Sequence, residues 1–375
     1  MADYKALISE LTRIASTPDK SIAESMKETG KEAFGCFPLH TPEELVYAAG
    51  YLPVGLWGGK TDLKLSDKFL QGFCCTIIKA NLEFGMNGTY KMLKGVIIPA
   101  LCDTLKCVSE NWIYACPDIP VIPIVYPMLR KIEGGEKYCV EEFRHVQKRL
   151  EEISGRAIPD KAIEAAFTVY EDYRATMREF VRVASDHPLT FDAKTRHLVI
   201  KAAYFMDKIK YTYIVKDIIN EVKQLPKEKA QLRIIASGIV SEPVELLDIL
   251  TENGIAIVGD DLSQESRNWR TPARKEGTAL EKMAGMIADQ KGDTFLYEQE
   301  KYKGAMLIDQ VKNEAADGVI YFQMKFCDPE EFDYPIVKKE LEAAGIPLLY
   351  IEVDQLLDSV EQLRTRIQSF AELLV

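Results

Sequence analysis

The spacing of hydrophobic residues along the chain divides it into three parts. In the first part, short apolar runs at residues 51–57, 96–101 and 120–127 alternate with segments of helical period, such as 41–50 and 68–88. Apolar runs of this length predict strands, and strands alternating with helices indicate βαβ units and a mostly parallel sheet. The first part is therefore predicted to be an α/β domain.

The middle part, from about residue 141 to 224, has almost no strand signal. Apolar residues recur near a 3.6-residue period with charges between them, which is typical of amphipathic helices. Pro159 and Asp160 predict a helix start, residues 185–192 predict a break, and residues 198–222 predict one further long helix. This part is predicted to be a helical segment.

The last part returns to strands alternating with helices. Four strand candidates lie at residues 232–240, 254–261, 318–326 and 345–354, and the boundary before them falls near 224–230. The pattern predicts an α/β fold of two flavodoxin-like parallel-sheet domains joined by a helical segment. The expected domains are 1–140, 141–228 and 229–375.

The two α/β parts resemble weak internal copies of each other. In each, a predicted strand ends in Cys-Asp, a helix follows, and an Ile-Pro pair precedes the next strand. The Cys-Asp pairs are at Cys102 and Cys327, and the Ile-Pro pairs begin at Ile119 and Ile346. The repetition favours a duplicated sheet over chance.

Composition limits the classes of partner and compartment. The formal net charge of -11 argues against nucleic acid or an anionic membrane as a partner. No apolar run reaches the ~18 residues of a membrane span, and the first 16 residues resemble an amphipathic helix rather than a signal peptide. The chain contains eight cysteines and no C-x-x-C motif. We therefore expect a cytoplasmic protein without a disulfide framework.

The Cys-Asp corners are candidate ligand sites. Ligands of open α/β sheets bind outside the carboxyl ends of the strands, where both corners fall. A helix N-terminus favours negative charge, so each thiol is expected to have a lowered pKa and to suit a soft metal or an iron–sulfur cluster. The alternative for Asp103 and Asp328 is a helix N-cap, and for a single cysteine it is core packing.

An ordered set of short motifs along the whole chain resembles one family, the 2-hydroxyacyl-CoA dehydratases and the related benzoyl-CoA reductases. The motifs are Cys-x-x-x-Lys at residues 75–79, Cys102-Asp103, Lys-Phe-Cys at 325–327, TPEELVYAAGYLPVGL near the start, and DDLSQESR at 260–267. Chain length and motif details are most similar to the smaller β subunits of the dehydratases.

The resemblance implies one [4Fe-4S] cluster held by Cys75, Cys102 and Cys327. Cys36 is implied either as a fourth ligand or as an unligated thiol, because it lies before the first strong helix, a region that contributes to the substrate site in catalytic subunits. The three cysteines with a predicted packing role are Cys107, Cys116 and Cys139.

The resemblance also implies a function and partners. The function is a lyase reaction, the elimination of water from an (R)-2-hydroxyacyl-CoA to a 2-enoyl-CoA through a ketyl radical. In this reaction, the present chain is expected to serve as the electron-relay subunit. The implied partners are a homologous α subunit with the substrate site and an ATP-dependent iron–sulfur activator protein. No catalytic base is assigned, since Glu43 and Glu44 resemble first-turn helix acids.

Other functions stay open from the residues alone. The chain could be a subunit of a benzoyl-CoA-type reductase, an electron-transfer module without a lyase role, or a metal-free two-domain protein that binds a small molecule. A zinc site is disfavoured, because the four histidines have no ligand-like spacing.

Overall fold

Two four-stranded sheets organise the chain. The structure, a computed structural model, describes residues 3–357 and 359–375. The first sheet consists of β1 Ala33–Cys36, β2 Leu52–Gly55, β3 Leu93–Pro99 and β4 Val121–Ile124. The second consists of β5 Leu232–Gly238, β6 Ile255–Leu262, β7 Gly318–Met324 and β8 Leu348–Val353.

All pairings within the two sheets are parallel, and the two strand orders are equivalent. The order is β2-β1-β3-β4 in the first sheet and β6-β5-β7-β8 in the second. Each matches the first four strands of the flavodoxin-like order. The predicted fold class, two flavodoxin-like domains joined by a helical segment, is confirmed.

The helices before and within the first sheet domain follow the predicted pattern, except that α2 was not predicted and α4 is shorter than predicted. They are α1 Tyr4–Ser16, α2 Pro18–Thr29, α3 Glu43–Ala48, α4 Thr76–Met86 and α5 Asp103–Ala115. The helix predicted over 68–88 begins only at Thr76. The chain ahead of it forms a short 3-10 helix at Ser66–Lys68 and then turns. The Glu83 carboxylate accepts hydrogen bonds from the backbone N–H groups of Lys64, Leu65 and Ser66 at the start of this segment.

The middle part is helical, as predicted, and its helices are α6 Glu133–Ser154, α7 Asp160–Asp186, α8 Ala193–Lys201 and α9 Lys208–Val222. Pro159 is the residue before α7, as expected. The prediction of one helix over 198–222 is wrong. Asp207 starts α9 as its N-cap and accepts hydrogen bonds from the N–H groups of Ile209 and Lys210.

The second sheet domain carries the remaining helices, α10 Val244–Glu252, α11 Ala279–Asp289, α12 Lys303–Asn313, α13 Asp328–Ala343 and α14 Glu361–Leu374. One hydrophobic core contains residues of both sheets and of the helical segment, such as Val54, Met177 and Ile234. This shared core fixes the sheets relative to each other. The domain boundaries at 140 and 228 stay a prediction.

Among the described residues, no helix is both long and apolar enough to cross a membrane.

Candidate functional site

Three cysteines occupy the same structural position in three different helices. Cys75, Cys102 and Cys327 are the N-cap residues of α4, α5 and α13. Cys102 follows the end of β3, and Cys327 follows the end of β7, so both lie at carboxyl ends of parallel strands, as predicted. The Cys102 thiol accepts a hydrogen bond from the backbone N–H of Leu105 over 3.4 Å.

The capping role considered for the neighbouring aspartates is wrong. Asp103 and Asp328 are the first residues inside their helices, and the cysteine before each is the cap. Asp103 instead pairs with Lys106 on the surface, with an Nζ–Oδ1 distance of 3.3 Å. Both carboxylates lie in a first helical turn, where the helix dipole favours negative charge.

The three cysteines line one cavity of about 360 Å³ between the two sheet domains. Cys327 is buried, and Cys75 and Cys102 are half-buried. The apolar side chains around them are those of Leu39, Ile77, Ile78, Leu101, Leu105, Met128, Ile239, Phe295, Met324, Phe326 and Phe332. Two of these are largely exposed, Phe332 at 80% and Met128 at 69%, so apolar side chains also lie at the protein surface beside the cavity.

Burial dominates the electrostatics of these thiols. It raises the pKa of Cys75 to about 12, and it also raises the pKa of Cys102 and of Cys327. The charge of Glu330 and the neighbouring thiols of Cys75 and Cys102 raise the pKa of Cys327 further, and the thiols of Cys102 and Cys74 raise that of Cys75. The prediction of a lowered thiol pKa is wrong, because hydrogen bonds from the helix N-termini are outweighed by the loss of water.

The donor set suits a multi-iron centre rather than a single ion. Within residues 3–357 and 359–375, no three His, Cys, Asp or Glu side chains come close enough to bind one common metal ion. The cysteines of an iron–sulfur cluster bind different irons, so they surround a volume instead of converging on a point. Three cysteines around a largely apolar cavity fit that requirement, and their helix N-termini favour an anionic cluster.

A buried ion-pair network supports the first turn of α13. Glu330, three residues after Cys327, accepts hydrogen bonds from Arg267 over 3.0 Å and from Lys303 over 2.7 Å. Arg267 also forms a bidentate pair with Asp261, at 3.0 Å for both contacts. Asp261 and Arg267 of the motif at 260–267 therefore hold the first turn of α13, next to its N-cap Cys327. Sequence reasoning did not find Glu330 or Lys303, and their only signal is charge in segments that fold into the interior.

Two contacts involve residues that follow Cys75, and one of them connects the two sheet domains. Thr76, next to Cys75, places its hydroxyl 3.9 Å from the sulfur of Met324 in β7. Lys79 of the Cys-x-x-x-Lys motif pairs with Asp67, with an Nζ–Oδ1 distance of 2.6 Å. Lys79 thus holds the turn ahead of α4 and does not line the cavity.

Cys36 lies outside the cysteine-lined cavity. It is buried at the end of β1 and lines a second cavity of about 110 Å³. Burial raises the pKa of its thiol well above the usual value. Pro38 and Leu39 line both cavities.

The remaining cysteines are free thiols, as are all eight. Cys116 and Cys139 are buried and pack as predicted, whereas Cys107 is exposed, so its predicted packing role is wrong. Cys107 lies on the outer face of α5, because a residue five positions from the N-cap points away from the cavity.

Glu43 and Glu44 lie in the first turn of α3, as predicted, and both are paired with the helical segment. Glu44 is buried and bonds Arg174 over 2.5 Å. Glu43 lies 3.2 Å from Lys208 and accepts a hydrogen bond from Tyr170 over 3.0 Å. These pairs anchor the helical segment to the first sheet domain.

Comparison with known proteins identifies the family of the chain. Residues 38–374 match the family model described as 2-hydroxyglutaryl-CoA dehydratase, D-component. Lactoyl-CoA dehydratase subunit beta of Anaerotignum propionicum is 42% identical and (R)-phenyllactyl-CoA dehydratase beta subunit of Clostridium sporogenes is 40% identical, each over all of both chains. The beta subunit of (R)-2-hydroxyglutaryl-CoA dehydratase of Acidaminococcus fermentans is 38% identical over 98% of this chain and 99% of its own. The chain belongs to the 2-hydroxyglutaryl-CoA dehydratase D-component family, a family of dehydratase subunits.

Proposed function

We propose that this chain is the β subunit of an enzyme that eliminates water from an (R)-2-hydroxyacyl-CoA to give a 2-enoyl-CoA. We further propose that Cys75, Cys102 and Cys327 hold a [4Fe-4S] cluster that serves as an electron relay. The observation that carries the proposal is that three N-cap cysteines, from helices of both sheet domains, line a single cavity. Cys36 is left out of this ligand set because its thiol lines the other cavity.

The chemistry of the substrate class explains the need for such a centre. In a 2-hydroxyacyl-CoA, the hydroxyl is on the α carbon, so elimination must remove a proton from the β carbon. The thioester carbonyl does not acidify that proton in the ground state, and a side-chain base alone cannot remove it. When bound, the cluster supplies one-electron transfer at low potential, which a route through a ketyl radical requires.

The residues of this chain would bind and shield the centre. The three thiolates provide ligands, and the free N–H groups in the first turns of α4, α5 and α13 stabilise negative charge beside them. The apolar side chains of the cavity limit access of water. Glu330 and its cations hold the first turn of α13, and therefore the position of Cys327.

The proposed partners follow from the family and the reaction. The relatives are named as beta subunits, and the family name refers to a component. We accordingly propose a homologous α subunit that binds the acyl-CoA and an ATP-dependent iron–sulfur activator protein as the electron source. The cytoplasm is the proposed location, since eight free thiols suit a reducing compartment.

The ligand set can be tested by single substitutions of the chain co-purified anaerobically with its α subunit. Cys75→Ser, Cys102→Ser and Cys327→Ser should each lose iron, acid-labile sulfide and visible absorption of this chain's cluster. Cys107→Ser, a matched control on the exposed face of α5, should keep all three. Cys36→Ser should also keep them. Full iron content in any of the first three variants would remove that residue from the ligand set.

Product analysis separates the remaining functions. With α subunit, activator, ATP and a reductant, a dehydratase gives a 2-enoyl-CoA without net consumption of electrons, whereas a reductase consumes two electrons for each product. Loss of product formation in the three cysteine variants, but not in Cys107→Ser, is the expected result. A chain that purifies without iron yet supports full dehydration would contradict the relay role.

A further inference from the structure

A third cavity lies away from the cysteines, between α7 of the helical segment and the second sheet domain. It has a volume of about 220 Å³. Its walls come from α7, from β6 and the loop that follows it, and from the last turn of α12. The residues that line it are Arg178, Val181, Arg182, Val258, Gly259, Asp260, Ser266, Trp269, Arg270, Gln310 and Glu314.

Two arginines of this cavity have no acidic partner. Arg178 donates to the backbone oxygen of Trp269 over 2.6 Å, and Arg182 donates to the backbone oxygen of Arg178 over 3.2 Å. Neither forms an ion pair with a carboxylate in residues 3–357 or 359–375. They lie four residues apart on α7, where like charges destabilise a helix. Burial lowers the pKa of Arg178; the negative charge of Glu171 partly opposes this effect, and the charges of Arg174 and Arg182 lower the pKa further.

The acidic residues of the same cavity are already engaged. Asp260 bonds Arg196 over 2.5 Å, and its other oxygen accepts from the backbone N–H groups of Leu262 and Ser266. Glu314 accepts from the Ser185 hydroxyl over 2.6 Å and has no cationic partner among the described residues. The cavity is therefore lined by two guanidinium groups without an acidic partner and by one carboxylate without a cationic partner, and this excess of positive charge favours an anion as the ligand.

Two buried polar atoms of the cavity also have no partner. Trp269 is 1% exposed, and its indole Nε1–H donates to no acceptor of the described residues. The side-chain amide of Gln310 donates to the backbone oxygen of Asp260 over 3.3 Å, which leaves its Oε1 without a donor. Unpaired buried polar atoms cost free energy unless a ligand or water satisfies them.

From this donor and acceptor set, we infer that the cavity binds a protonated phosphate group, with inorganic phosphate as the simplest ligand. The guanidinium groups of Arg178 and Arg182 and the indole N–H of Trp269 donate to its oxygens. The phosphate hydroxyl donates to Oε1 of Gln310. Sulfate, which carries no proton near pH 7, cannot make that last bond and binds more weakly.

The test uses the full chain, titrated with inorganic phosphate at constant ionic strength and followed by tryptophan emission and by equilibrium dialysis with labelled phosphate. We expect saturable binding of one phosphate per chain. Arg178→Gln should weaken it at least tenfold, because a hydrogen bond to a charged group is lost. Trp269→Phe should weaken binding in dialysis. Arg149→Gln, which alters a surface arginine of α6, should leave it unchanged.

The identity of the anion is tested by competition. Sulfate should displace phosphate at concentrations at least ten times higher than phosphate itself. Adenosine monophosphate is titrated in the same way as inorganic phosphate. The ligand that binds more tightly shows whether the cavity takes free phosphate or the phosphate group of a nucleotide. Circular dichroism of each variant reports whether it is folded. Absence of saturable binding by both methods, or equal binding by wild type and a folded Arg178→Gln, would overturn the inference.

Discussion

Replacement of Glu330 by alanine tests whether the buried ion-pair network holds the first turn of α13. Glu330 is 0% exposed, and its carboxylate contacts Arg267 over 3.0 Å, Lys303 over 2.7 Å and the hydroxyl of Tyr321. Breaking a buried pair by removing one partner costs about 3–5 kcal/mol. We expect a loss near 3 kcal/mol, because Asp261 still faces both cations, at 3.0 Å from Arg267 and 3.7 Å from Lys303.

The assay is urea unfolding of the full chain, with the transition midpoint as the readout. Glu331→Ala is the matched control, since Glu331 is the next residue of the same helix and is exposed. It should change stability by less than about 0.5 kcal/mol. Glu330→Gln keeps the shape of the side chain and loses its charge. Its urea midpoint should lie between those of Glu330→Ala and Glu331→Ala. Equal midpoints for Glu330→Ala and Glu331→Ala would refute the reasoning.

The pH dependence of the Glu330 contribution has a definite sign. Burial opposes ionisation of Glu330, but the charges of Lys303 and Arg267 outweigh it, so the pKa lies below the usual value. A lowered pKa in the folded protein contributes stability that is present above the unfolded pKa of about 4.3 and lost as pH falls through the folded pKa. The difference between wild type and Glu330→Gln should therefore be full at pH 7 and shrink below about pH 4.

Two further substitutions have clear expected outcomes. Burial lowers the pKa of His197, but its bonds to Glu242 and Glu265 outweigh burial and raise the pKa above 6.5. The stability that protonated His197 contributes to the folded protein is therefore lost as the pH rises through the folded pKa. His197→Gln should reduce the fall in the urea midpoint between pH 6 and 9, and an unchanged slope would contradict this. A β carbon at Gly85 in α4 would lie 2.6 Å from the Cys116 sulfur, so Gly85→Ala should cost about 1–3 kcal/mol. Gly134→Ala in α6 meets no atom within 4 Å and should not destabilise the protein; equal losses in urea unfolding would argue against the packing account.

Elements with a strong local pattern were predictable from the sequence. Seven of the eight strands in the described part of the chain coincide with apolar runs, and Pro159 marks the start of α7. The strand β1 was missed because four buried residues between turns carry no period that distinguishes a strand. The division between α8 and α9 was missed because Asp207 interrupts a pattern that is otherwise helical. Such breaks depend on one capping side chain, not on hydrophobic period.

The cysteine-lined cavity was predictable in its members but not in its electrostatics. Strand ends and helix starts are local features, so the positions of Cys102 and Cys327 could be inferred from the Cys-Asp corners. The raised pKa values depend on how deeply the folded chain buries each thiol. The support from Glu330 depends on contacts with residues far away in sequence, such as Arg267, 63 positions earlier. A short sequence motif specifies neither the burial of the thiols nor the long-range contacts of Glu330.

The equivalence of the two sheets explains why the site lies between them. By strand order, β3 corresponds to β7, so Cys102 and Cys327 occupy the same corner of two equivalent sheets. Cys75 has no counterpart, since no cysteine lies between β6 and β7. Two of the three proposed ligands therefore come from the first domain and one from the second, and the cavity depends on the shared core that holds the two sheets together. A substitution that weakens the packing between the sheets, such as loss of the contact between Thr76 and Met324, should release the proposed cluster before either sheet unfolds.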